Sequence, residues 1–215
     1  MKLYPIDILV PFGPFLRRIE NQPVFHQWKS LIFHVIPFTF FIYWLCSLIP
    51  YIGTLAYTLV LIPLSALRHI QVKQIKSKED RALTYLWYFT VIAIGFGGLW
   101  SFIGHTVLAD SVAQQIGWAT GSPFQTELAF YTLGSGIAGL LAIWLKKQMI
   151  AATVITKSIF LYGAGYVHLV EAIVHKNYSP LNIGAPLIGD IVLPTIYLTL
   201  IFMTVKSKAK TVENS

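Results

Sequence analysis

The sequence predicts an all-α membrane protein, a polytopic transmembrane helical bundle of six spans, and three observations predict it. The first is composition: 55% of the residues are hydrophobic, 12% are charged and the mean hydropathy is +0.64, whereas ordinary soluble domains carry about 25% charged residues. The second is segment length, because apolar runs of the roughly 20 residues that a helix needs to cross a bilayer recur along the chain. The third is where the basic residues fall. The N-terminal region, residues 68–81, the Lys146-Lys147 turn and the tail hold nearly all of them, so alternate connections are basic. Cytoplasmic connections collect Lys and Arg, which places both termini in the cytoplasm.

Taken in order, residues 1–29 hold an apolar run broken by Pro5, Pro11, Gly13 and Pro14 and closed by Arg17 and Arg18. It is too short to span and reads as a cytoplasmic interfacial segment; with no small-residue cleavage site it does not read as a removable signal. Residues 30–67 form a transmembrane hairpin turned at Pro50 and Gly53, and residues 68–82 a basic cytoplasmic loop. A four-span core bundle is expected over residues 83–205, with spans at about 83–108, 127–146, 149–174 and 187–205, and residues 206–215 form a cytoplasmic tail. The connection after the third span contains no Lys or Arg and belongs to the outer face. Small residues at close intervals, Gly95 with Gly98, Gly136 with Gly139 and Gly163 with Gly165, offer sites where helix backbones approach in lipid. Replacing Gly136 or Gly139 by Leu should destabilise the bundle, with Ala nearly tolerated.

The net charge of +7 is accounted for by the cytoplasmic connections, which excludes a nucleic-acid binder and leaves the lipid bilayer as the expected partner. The lone Cys46 provides neither an intramolecular disulfide nor a cysteine metal site. Ionisable groups inside spans are costly, about 2.5–3.5 kcal/mol at a helix centre on insertion scales, and so must face protein or water. The fifth span concentrates them. Lys157, Leu161, Ala164, His168, Glu171 and His175 follow alternating steps of four and three and share one helix face. Of these, His168, Glu171 and His175, with His105, Asp110, Glu127 and Asp190, crowd the outer ends of their spans, where a small polar ligand could bind.

His168, Glu171, Glu127 and Asp190 supply nitrogen and oxygen donors of the kind that hold a divalent metal, with the histidine and carboxylate three apart as bundle metal sites present them. Capping, headgroup contact and solvation are the plainer roles for the same residues. His105 and His168 are the one pair of histidines placed to ligate a haem. Lys157 lies about 16 Å along the helix from His168 at 1.5 Å per residue, and its plainer role is to snorkel toward the cytoplasm. No Ser-His-Asp, phosphate-loop or dinucleotide pattern favours catalysis. The classes left are a ligand-binding membrane protein, a small-solute or proton transporter, a membrane oxidoreductase using metal, haem or quinone, and an accessory structural protein.

The stretch GWATGSPFQTE from Gly117, with GYVHLVEA around His168 and NIGAPLIGD leading to the last span, resembles a family of uncharacterised bacterial multi-pass membrane proteins that share a GW-x2-G-[SN]-PFQ-x-E motif. The resemblance covers about residues 83–204. It implies that Trp118, Pro123, Phe124, Gln125, Glu127, His168 and Asp190 are the family's own residues, in a bacterial inner-membrane protein, and it implies no activity. Ser122 and Pro123 also make a good helix start, with Gln125 and Glu127 in the first turn.

Overall fold

The computed structural model describes residues 53–213, with side chains from Leu55 to Thr204 apart from Lys146. These belong to one compact unit, Cys46–Ser215. The expected interfacial segment and first span lie outside the described residues. Among those described, every regular element is helical. Helix α1 covers 53–72, α2 Lys78–Thr106, α3 Ala109–Ile116, α4 Pro123–Leu145, α5 Lys147–Ile173, α6 Pro180–Ile183 and α7 Ala185–Glu213. Four segments are long and apolar enough to cross a membrane: α2, α4, α5 and Pro180–Thr204.

Two of the four begin where a serine satisfies a free N–H group. Ser77 caps α2 by accepting from the Asp80 N–H at 3.4 Å, with Glu79 and Asp80 in the first turn, a favourable placement at the positive end of a helix. Of the basic stretch 68–82, residues 68–72 therefore end α1 and 78–82 begin α2, and the connection shrinks to 73–77. Ser122 caps α4, accepting from the Phe124 N–H at 3.3 Å, and Pro123 takes the first helical position, as the sequence led one to expect. The backbone is helical without a break over Pro123–Ile173, yet the chain doubles back between α4 and α5. Tyr131 and Phe160 meet with ring centroids 4.3 Å apart, so α4 and α5 run antiparallel.

α2 and α4 approach at the backbone. A Cβ on Gly98 would lie 2.6 Å from the Thr132 carbonyl oxygen and 2.7 Å from the Gly136 Cα; one on Gly139 would lie 2.7 Å from both the Gly95 nitrogen and the Thr90 carbonyl oxygen. Gly95 sits in a π-helical stretch, Phe89–Phe96, buried along most of its length. The third expected contact pair divides: Gly165 faces Asp190, but nothing lies within 4 Å of a Cβ on Gly163. α7 closes the bundle, with Tyr197 edge-on to Phe89 at 5.4 Å.

The two ends of the bundle differ. At one, Glu79 pairs with Lys147 at 3.5 Å, joining the starts of α2 and α5. Near it, His69 is buried with Nδ1 3.2 Å from the Tyr88 hydroxyl. Burial, and then the charge of Lys73, hold its proton affinity below the ordinary value of 6.5. The neutral form is thus favoured by folding, so stability is lost as the pH falls through about 6.5 toward the folded value. Unfolding followed against pH should show this acid limb, and His69→Gln should flatten it; an unchanged limb would locate the titration elsewhere.

Candidate functional site

The opposite end is built by the connections on either side of α4 and α5. Helix α3 occupies much of the stretch that reads as a loop, and it stops at Gly117. There the Trp118 N–H bonds the Ala113 carbonyl at 2.8 Å and the Gly117 N–H bonds that of Gln114 at 3.1 Å, a Schellman ending that needs a left-handed residue. Gly117 has φ +85°, and a Cβ there would lie 2.5 Å from both Asn177 Oδ1 and Ser179 Oγ. Glycine is required on both counts. Asn177 then donates to the Ile116 carbonyl at 2.9 Å, tying the two connections together.

His168 stands at the centre, 8% exposed. Its Nδ1 lies 2.7 Å from Asn182 Oδ1, and the Asn182 amide nitrogen donates to the carbonyls of His168 at 3.2 Å and Asn177 at 2.8 Å. Carbonyls only accept, so these two bonds fix the amide and leave its oxygen toward the ring; Nδ1 must carry the hydrogen. The other ring nitrogen, Nε2, lies 3.7 Å from Asp190 Oδ2. Asp190 comes this close because α5 offers Gly165 opposite it, where a Cβ would stand 3.3 Å from that of Asp190. Pro194, four residues on and buried, has no N–H for the Asp190 carbonyl and so loosens α7 at this level. Trp118 stacks on the imidazole, with centroids 6.1 Å apart and planes 12° apart, and meets Phe124 edge-on.

A second pair lies between α2 and α4. His105 Nδ1 hydrogen-bonds Gln125 Oε1, and Gln125, 3% exposed, leaves Nε2 buried without a partner. Lys157 places its ammonium 4.8 Å from the ring centre of Phe160 and 5.5 Å from that of Tyr131, a cation–π arrangement. Phe160 lies further along α5, away from Lys147, so the side chain leans toward the site and not toward the Lys147 end that snorkelling requires.

The four residues grouped as metal donors do not converge. Glu127 is exposed, two residues and about 200° around α4 from the buried Gln125. Glu171 turns to the connection, 3.4 Å from Asn177 Nδ2 and 3.9 Å from His175 Nε2. That leaves His168 with Asp190, and among the described residues no three His, Cys, Asp or Glu side chains gather to hold a metal ion. The His168 nitrogen that a haem iron would need, Nε2, faces Asp190 at 3.7 Å, and the His105 Nδ1 is bonded to Gln125. Asp110 accepts from the Gly121 N–H at 3.0 Å and serves its own loop. Asn177 and Asn182 were not among the expected site residues; a fully buried amide in NIGAP, flanked by apolar residues, was the signal.

Among the described residues, fold and site define a helical bundle with four helices long and apolar enough to cross a membrane and a His-Asn-Asp cluster at one end. Residues 52–210 match the model of the family of unknown function DUF6790, and the chain belongs to that family. No curated protein and no solved structure matches it.

Proposed function

We propose that the chain is a six-span protein of the bacterial inner membrane with both termini cytoplasmic, and that His168 and Asp190, framed by Trp118 and Asn182, bind a small polar ligand or an exchangeable proton at its outer end. The observation that carries the reading is the fixed tautomer. With hydrogen on Nδ1, a neutral imidazole turns a lone pair toward Asp190, and two acceptors at 3.7 Å are unfavourable neighbours unless a proton or a donor group lies between them. Such a pair inside a membrane bundle is a functional site by default. A structural reading draws on one observation too, the asparagine bonds that staple the connections; on that reading protonation of His168 is incidental.

Trp118 separates the two. Imidazolium quenches a stacked indole more than imidazole does, so tryptophan emission should fall reversibly on acidification, and His168→Asn and Trp118→Phe should each abolish that component. Emission that follows pH equally in all three proteins would remove the site. The topology has its own test: reporters fused after Arg81, Lys147 and Lys210 should be cytoplasmic, and those near Gln115 and Tyr178 external. The Glu79–Lys147 pair at one end and the Ile116–Asn177 bond at the other support this alternation. An external reporter at Arg81 would defeat the six-span arrangement.

A further inference from the structure

We infer that Pro194 makes α7 a hinged helix, whose leading segment, residues 185–193, swings toward α5 when a proton joins Asp190 to His168. The inference rests on the reading of that pair as a proton site and adds the movement that occupation of the site produces.

Three observations lead to it. The first is a weakness in the bonding of the helix itself. Pro194 offers the Asp190 carbonyl no N–H, and just beyond it Thr195 donates its hydroxyl to the Ile191 carbonyl and Thr199 to that of Thr195, both at 2.7 Å, back-bonds of a kind that bend helices. The second is unequal anchoring on the two sides of the proline. Beyond it, Tyr197 is fully buried edge-on to Phe89, and Thr195, its proton committed to Ile191, accepts from the Tyr162 hydroxyl of α5 at 2.9 Å. Before it, the one buried residue of 185–193 is Gly189, which has no side chain to hold the segment in place. The third is a gap with room to close. His168 Nε2 and Asp190 Oδ2 stand 3.7 Å apart, about 0.9 Å beyond a charge-assisted N–H···O bond, and α5 presents Gly165 there, whose missing Cβ would lie 3.3 Å from that of Asp190.

A proton from solvent turns two facing acceptors into a donor and an acceptor, and the pair draws together. Asp190 lies four residues from Pro194, about 6 Å along the axis, and Ile188 six residues, about 9 Å. Closing the gap by about 0.9 Å about a pivot at the proline therefore carries Ile188 about 1.3 Å toward α5, whereas rotation of the Asp190 side chain alone would leave Ile188 in place. The proton has few competitors at this level. Of the elements packed against α7, Gly53–Ala56 of α1 and Pro180–Ile183 carry no titratable group, and the charged residues of Lys78–Tyr88 lie at the Glu79–Lys147 end. α5 brings Lys157 on one side of His168 and Glu171 with His175 on the other.

Pairs of spin labels on the full chain in nanodiscs, with Cys46→Ser throughout, test the movement. Ile188→Cys with Ile173→Cys spans α7 and α5 before the hinge, and Leu198→Cys with Ile159→Cys spans them beyond it; all four positions are exposed. Lowering the pH from about 8 to about 5 should shorten the Ile188–Ile173 separation by about 1 Å or more and leave the Leu198–Ile159 separation unchanged. Pro194→Ala, which returns an N–H to the Asp190 carbonyl, should remove about half of that shift or more, while the Trp118 emission still follows pH. Gly165→Ala, which fills the space Asp190 moves into, should do the same, and His168→Asn should abolish the shift and the Trp118 signal together. The hinge is refuted if wild type shows no shift, if the two pairs shift alike, or if a folded Pro194→Ala protein shifts as far as wild type; should that variant not fold, an undiminished shift in Gly165→Ala refutes it equally. No shift alongside a Trp118 signal that His168→Asn abolishes removes the hinge and leaves the proton site standing; loss of both removes both.

Discussion

Gly139→Ala is expected to destabilise the protein substantially, although alanine is the smallest change available. The sequence alone argues that a methyl would be nearly tolerated and that leucine would be needed to part the helices. The structure reverses that expectation, because the added carbon would stand 2.7 Å from backbone atoms of α2, the Gly95 nitrogen and the Thr90 carbonyl oxygen. Backbone cannot rotate away as a side chain can. The helices must separate along their whole contact, and overpacking of this kind costs about 1–3 kcal/mol, occasionally more. Gly98→Ala should behave alike, with its Cβ 2.6 Å from the Thr132 carbonyl oxygen; Gly136→Ala, with nearest atoms at 3.0–3.2 Å, should cost less. Gly134→Ala and Gly163→Ala meet open space and serve as controls. Thermal unfolding in one detergent ranks the five, and equal melting temperatures across the set would mean that α2 and α4 do not meet at these glycines.

Those glycines show where sequence reasoning reaches its limit. Their spacing revealed that close approaches exist, but which members face a neighbour depends on helix rotation, and a residue without a side chain carries no hydrophobic signal to set it. The apolar runs were legible because lipid selects length and hydropathy directly, so the described spans fall near the expected positions. Helix starts were less so: Ser77 with Asp80 three residues on is a capping pattern hidden within a run of charges. α3 went unread because a helix of eight residues has no membrane-length run.

At the site, the inward face through Lys157 and His168 could be read from helical spacing, and the same spacing carried Glu171 with it. The helix is ending there, and Glu171 is drawn to Asn177 instead. Glu127 stands apart for a different reason, its exposure on α4. Charge suggested function, but at that position the buried residue is the uncharged Gln125, whose amide makes the contact with His105. Polar neutral residues within apolar runs were the stronger signal.

Asn182→Leu should be the most damaging change at the His168 end of the bundle, because one amide serves three groups. Leucine fills the volume but leaves the His168 Nδ1–H without an acceptor and removes donors from the carbonyls of His168 and Asn177. Each buried group so orphaned costs about 1–3 kcal/mol. Asn182→Asp should not rescue it, since a carboxylate can accept from His168 yet cannot donate to the two carbonyls. Coupling locates the effect more sharply than either loss. A double-mutant cycle of His168→Ala with Asn182→Ala should show an interaction of about 0.5–3 kcal/mol, as contacting residues do, and His168→Ala with Asp190→Asn should also deviate from additivity. His168→Ala with Glu171→Gln should add within about 0.5 kcal/mol, because Glu171 bonds the connection and not the imidazole. If the Glu171 cycle couples and the Asn182 cycle does not, the imidazole is oriented by its own helix, the fixed tautomer is lost, and with it the argument for a proton between His168 and Asp190.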